Sequence, residues 1–300
     1  MSLPGLLFAC VTVLAWGSWL APSQKVPLRG QQTRTFYVTI AVLLLALIAY
    51  FAHGAEPFTL RQFALPFAGG LIWALSCWSA FVGASRLGMA RAFGIWAPLN
   101  ILVSIGWGML LFGEFIHSDS RQLLFGGVAI ALLIAGILMI VLGGQPDAAD
   151  EAGAAGHSVS GYLGALGAGI GFASYFIPVS VSHLSLWTAM VPLACGMVAG
   201  GTALALISRS PLRLEHPGHY WRLLATGALW GIGNYSALAM MERIGTGKGF
   251  TIAQLCVVVN ALIGIYFFGS PKAGSRQARW TLAGVAVAAV GGIVFGGVKS

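Results

Sequence analysis

Charge is what this chain lacks. Of 300 residues, 16 are Lys or Arg and 8 are Asp or Glu, 8% in all, where an average soluble domain carries roughly 25%. A soluble globule of this length exposes more surface than so few charges can keep hydrated. Disorder is excluded as well, because 58% of the residues are hydrophobic and apolar surface seeks burial. Cysteine is scarce: Cys10, Cys77, Cys195 and Cys256 stand singly in apolar runs, with neither metal-ligand spacing nor a disulfide framework. Missing too are a Gly-rich phosphate loop, a Ser/His/Asp arrangement and an acidic residue in mid-run. Glu215, His216 and His219 surround Pro217 without the i, i+4 spacing of a helical zinc site. The chain therefore reads as neither an enzyme nor a holder of metal or cofactor. Its net charge of +8 is scattered, with no basic run longer than two, so it is no nucleic-acid footprint.

What is present is a series of apolar runs, each long enough to cross a hydrocarbon core about 30 Å thick. They cover residues 1–24, 35–55, 62–85, 92–113, 122–146, 223–241, 249–271 and 281–298, and an uncharged stretch over 152–208 has room for two more helices. That stretch is expected to break near Pro178 to Ser185, where Pro, Ser and His183 cluster. The fold class predicted is an all-α polytopic membrane protein of ten transmembrane helices. The first run is not read as a signal peptide, since no Lys or Arg precedes it. Eleven basic residues fall on one set of loops (Lys25, Arg29, Arg34, Arg86, Arg91, Arg209, Arg213, Arg222, Lys272, Arg276, Arg279), and five on the other (Arg61, Arg121, Arg243, Lys248, Lys299). The bias toward basic cytoplasmic loops then puts both termini outside a cell (inner) membrane.

The chain also repeats itself. Trp16-Gly17-Ser18-Trp19 with Pro22 matches Phe172-Ala173-Ser174-Tyr175 with Pro178, and Trp73 to Ala80 matches Trp230 to Ala237. Both copies continue through Arg86 or Arg243 to Gly-x-x-x-Phe-Gly, at Gly108 to Gly113 and Gly264 to Gly269, with the offset always within a residue of 156. Two repeats follow, 1–146 and 160–300, joined by an acidic and Gly/Ala-rich linker at 147–159. Five helices per copy is an odd number, so the second copy enters the membrane from the opposite side. Such inverted repeats are the organisation of secondary transporters, whose site lies at the midplane between them.

Trp16-Gly17-Ser18 followed by Pro22 and Lys25, the Gly70-x-x-Trp73-Ala74 helix, and Trp230-Gly231-x-Gly233-Asn234 with Gly245 resemble the drug/metabolite transporter (DMT) superfamily. Within it the chain is most similar to the glucose/ribose uptake branch and the related L-rhamnose–proton symporters. The resemblance spans nearly all ten helices and implies a sugar carrier, with protons as a partner left open. It departs from the pattern where Cys77 matches Asn234, and where Ser270 stands as the counterpart of Glu114.

Polar side chains in hydrocarbon are costly unless they meet a partner or a water-filled cavity. Ser18, Ser76, Asn100, Ser104, Ser174, Asn234, Gln254 and Asn260 are such residues, either as interhelical glue or as groups that converge on the hydroxyls of a neutral solute. Asn and Gln both donate and accept, which suits a sugar. Aromatic pairs matched across the repeat accompany them, and the C–H face of a pyranose packs flat on an indole. The substrate-binding set expected is Trp16, Ser18, Trp73, Ser76, Asn100, Tyr175, Trp230, Asn234, Tyr235, Gln254 and Asn260. Glu114 and Glu242, at helix ends, are the candidates for coupling. The reading is a carrier importing a monosaccharide by alternating access. An exporter of amphipathic metabolites or drugs, and a non-transporting sensor or assembly protein, are the alternatives; whether it is a monomer or a homodimer is open.

Overall fold

The computed structural model describes residues 3–54, 56–112, 120–143, 151–244, 252–253 and 255–298. Among them there is no strand. The helices are α1 (Leu3–Ser18), α2 (Gln31–Ala52), α3 (Leu60–Leu87), α4 (Met89–Phe112), α5 (Ser120–Gly143), α6 (Glu151–Ser174), α7 (Phe176–Val181), α8 (Leu186–Ile207), α9 (Pro217–Ile244), α10 (Cys256–Leu262) and α11 (Arg276–Val298). Among the described residues, eight helical stretches are long and apolar enough to cross a membrane. Large hydrophobic side chains point outward along them, among them Leu44, Ile48, Leu110, Leu124, Ile170 and Ile207. Such a surface is stable against lipid and unstable against water.

Proline decides where two of these helices stop. A proline ring clashes with the carbonyl four residues earlier and supplies no N–H. Four residues before Pro22 is Ser18, the last residue of α1, and a short 3-10 turn over Ala21–Ser23 follows. Four residues before Pro178 is Ser174, the last residue of α6, and the short α7 follows. The stretch over 152–208 divides close to where the sequence placed the break, with residues 182–185 between α7 and α8. In contrast, α2 begins at Gln31 rather than at Thr35, so Arg34 lies within the helix and is only 3% exposed. Further along, α10 passes into a π-helical turn over Ile263–Phe267.

Around the centre, α3 packs on α6 and α8, and α9 packs on α1 and α2. Further contacts join α4 to α6, α10 to α1, α2 to α8 and α5 to α11. Several of these crossings are backbone against backbone. A Cβ on Gly70 would strike the carbonyl of Leu193 in α8, and one on Gly227 would strike the carbonyl of Val38 in α2. Small residues at such points let helices associate where no hydrophobic effect separates lipid from protein. Gly70→Val and Gly227→Val should each destabilise the bundle by about 1–3 kcal/mol, read as a lowered Tm in detergent. Gly126→Ala, where a Cβ meets nothing within 4 Å, should leave Tm unchanged or slightly raised.

Candidate functional site

Four of the repeat-matched aromatics meet at the middle of the bundle. Trp73, fully buried on α3, has its ring centroid 4.6 Å from that of Trp230 on α9, edge to face, and 5.9 Å from that of Phe172 on α6. Trp16 on α1 donates from Nε1 to the Trp230 carbonyl at 3.3 Å. Its ring lies over Gly233, where a Cβ would collide with the indole. Trp96 on α4 extends the cluster, its centroid 6.5 Å from that of Phe172. Trp19 is placed apart from them, against Phe81 at 5.5 Å.

The polar candidates surround this cluster in different ways. Asn260 donates from Nδ2 to the carbonyl of Gly17 at 3.0 Å, one of the last carbonyls of α1 and so free of the helical ladder. Asn234, 8% exposed, donates to the sulfur of Met190 at 3.2 Å. Tyr235 stacks on Trp187 with centroids 5.1 Å apart. Ser18 and Ser76 turn back onto their own helices, donating to Leu14 O at 2.6 Å and Ile72 O at 2.7 Å. Asn100 accepts from Ser104 Oγ at 3.5 Å, and Tyr175 is half-buried against the core. The residues Gln254 and Glu114, and the side chain of Glu242, lie outside the described residues. Among the described residues, three polar atoms here are buried without a partner: the indole N–H of Trp73, the side-chain oxygen of Asn260 and the hydroxyl of Tyr235. A donor, an acceptor and a group that can be either are thus left unanswered.

Each end of this centre is bounded by bonds that the sequence did not single out. At one end Arg222 Nε donates to the Pro22 carbonyl at 2.6 Å, and Arg34 Nη2 donates to the Ser23 carbonyl at 3.0 Å. The Arg34 guanidinium also lies 5.1 Å from the Phe81 ring, a cation–π contact that offsets part of its desolvation. Thr33 donates to the Pro211 carbonyl at 3.0 Å, and Tyr37 to that of Leu212 at 2.9 Å. At the other end Thr188 and Ser185, in the first turn and cap of α8, hold Glu56 Oε2 at 2.7 and 3.1 Å. Beside them the His53 ring stacks on Trp187 with centroids 4.5 Å apart.

The match of the whole chain decides the family. Residues 7–298 fit the family described as "Sugar transport protein". The chain belongs to that family. As a member of the sugar transport protein family it is similar along its length to the "Putative sugar uptake protein" of Enterococcus faecalis, 24% identical over 296 residues that cover 98% of this chain and 99% of the relative. It is similar also to the "Probable glucose uptake protein GlcU" of Bacillus cereus, 24% identical over 297 residues, with 98% and 99% covered. A solved crystal structure shares the fold with a TM-score of 0.61 at 18% identity, covering 97% of this chain and 98% of that one.

Hydroxyl donation to its charged form holds the Glu56 carboxyl below its ordinary value of 4.5, with the Thr188 bond the largest cause, then Ser185, and with His53 adding to it. A group whose folded value is depressed stabilises the fold above its unfolded value and loses that contribution as pH falls through the folded one. The Tm of the wild type should therefore fall below about pH 4.5 more steeply than that of Glu56→Gln, measured across pH 3 to 7 in detergent.

Proposed function

We propose that this member of the sugar transport family is a monosaccharide importer working by alternating access. Its two inverted five-helix repeats, 1–146 and 160–300, would enclose the site, with 147–159 as their linker. The observation that carries this reading is the buried, unanswered N–H of Trp73, beside the unanswered Asn260 oxygen and Tyr235 hydroxyl. An unpaired buried polar group costs about 1–3 kcal/mol. A solute whose hydroxyls donate and accept, and whose C–H face lies on an indole, relieves that cost without bringing charge into the membrane.

Pairwise exchange supports the repeat. If the helices of one copy are swapped for those of the other, the α3–α6 crossing becomes α9–α1, α3–α8 becomes α9–α2 and α4–α6 becomes α10–α1; α2–α8 and α5–α11 map onto themselves. The aromatic cluster behaves in the same way, since Trp16 with Trp230 corresponds to Phe172 with Trp73. Opposite threading is supported by the ends. The 3-10 turn after α1 meets the starts of α2 and α9, whereas α7 is followed by Ser185, which meets Glu56 after the far end of α2. The end with Pro22 gathers Arg34, Arg222 and the loop after α8, and its basic character assigns it to the cytoplasm. Both termini are then outside a cell membrane. The DMT superfamily, and its glucose/ribose uptake branch, is the assignment that this architecture favours. Trp16, Trp73, Trp230, Asn234, Tyr235 and Asn260 are the sugar-contacting residues we assign, with Gln254 beside them in the sequence.

The test is uptake of a panel of labelled monosaccharides into vesicles holding purified protein, with and without an imposed proton gradient. Saturable uptake of at least one sugar is expected. Asn260→Ala and Trp73→Ala should each reduce kcat/KM by about tenfold or more at equal protein abundance, as befits loss of roughly 1.4 kcal/mol. Transport of hydrophobic cations in place of every sugar would overturn the reading in favour of an exporter.

A further inference from the structure

The bonds at the two ends of the bundle correspond across the repeat. Thr33 opens α2 and Thr188 opens α8; their partners are Pro211 and Glu56, and both pairs are separated by the same 155 residues (188 − 33 and 211 − 56). Each joins the first turn of a helix in one copy to the connecting stretch in the other. They differ in what stands behind them. The Thr33 end is reinforced by two guanidinium groups on the carbonyls of Pro22 and Ser23. The Thr188 end has a carboxylate at the surface and a pile of three rings: His53, exposed, then Trp187, then Tyr235, at spacings of 4.5 and 5.1 Å and tilts of 20° and 21°.

That pile leads inward. Below Trp187 comes Tyr235 with its buried, unanswered hydroxyl, next to it in the chain is Asn234, and one helical turn before Asn234 is Trp230 at the centre. We propose that the first turn of α8 is the gate of this carrier and that Trp187 is its plug and the first surface to take the sugar. Release of Ser185 and Thr188 from Glu56 lets the turn swing, unstacks Trp187 from His53 and offers an indole face to a pyranose on its way to Asn234 and Trp230. Once inside, the sugar is followed by re-formation of the two hydroxyl bonds. The guanidinium end stays shut meanwhile, because its partners are carbonyls held in a 3-10 turn on the opposite side of the centre. The proposal rests on the carrier reading and adds to it a route, an order of opening and a residue that contacts sugar before the central site does.

Accessibility tests it without reference to the transported sugar. In a background freed of native cysteines, Asn234→Cys probes the space behind the plug and Ser23→Cys the guanidinium end. Both are exposed to a membrane-impermeant thiosulfonate in proteoliposomes. Glu56→Gln and Trp187→Ala should each speed labelling at the first position by about five- to tenfold, the scale of one lost stacking or hydrogen-bonding contact. Neither should change labelling at the second, which Arg222→Ala should raise. Labelled D-glucose gives the second readout: Trp187→Ala should raise KM several-fold with kcat less affected, and Trp187→Phe, which keeps a ring, should restore most of it. Should Trp187→Ala fail to fold, Glu56→Gln carries the labelling test. Unchanged labelling at Asn234→Cys in both Glu56→Gln and Trp187→Ala, or in Glu56→Gln alone where Trp187→Ala does not fold, with wild-type sugar uptake intact, overturns the gate. Absence of uptake of any sugar by the wild type overturns the carrier reading instead.

Discussion

A fully buried indole whose N–H meets no partner among the described residues sets the terms for the rest of this molecule. In hydrocarbon such a group is tolerated only where packing holds it in place or where something periodically answers it. Trp73 is fixed on one face by Trp230 and on another by Phe172, and those rings are held in turn by the crossings of α3 with α6 and of α9 with α1. The crossings are close because glycine stands where helix backbones touch. Composition, helix spacing and the aromatic centre are thus one connected arrangement: few charges because lipid surrounds it, glycines because backbones must approach, and tryptophans because the approach leaves a core that large rings fill.

The two proline-ended helices show how local chemistry places function. Ser18 and Ser174 close their helices by bonding back to Leu14 and Ile170, and the matched prolines forbid another turn. The Gly17 carbonyl near the end of α1 then accepts from Asn260, and the carbonyls of Pro22 and Ser23 in the 3-10 turn that follows accept from Arg222 and Arg34. At the end of α6 the free group is a hydroxyl, and Trp107 donates to Ser174 at 2.9 Å. The two proline-stopped helix ends have therefore recruited different partners, amide and guanidinium at one and indole at the other.

Much of this was legible in the chain. Gaps between charges gave the apolar helices, and the landmarks from Trp16 to Phe172 and from Trp73 to Trp230 named residues that do meet at the centre. What the charge gaps misplace is the start of α2, because they assume that an arginine marks a loop. Arg34 is instead buried, with Nη2 donating to a carbonyl and the guanidinium over an aromatic face, a partial compensation that only tertiary packing supplies. Ser18 and Ser76 donate their hydroxyl protons to their own helices, a local choice open to any Ser in a helix and invisible in the spacing of polar residues. Nothing in the pattern of matched aromatics marks Trp187, because the residue 155 positions earlier is Gln32. Glu56 lay in a connecting stretch, and its link to Thr188 spans 132 residues; the recurrence of threonine at 33 and 188 was the one hint available.

The acceptors at the two ends also differ in how they can change over generations. Thr33 and both arginines bond to main-chain oxygens, which no codon change removes, so that side can be retuned only from the donor's position. The opposite side is answered by a side chain, and a single substitution at residue 56 alters its strength, its charge or its very existence. A lineage that needs a faster or slower carrier has a convenient dial on one side of its membrane and almost none on the other.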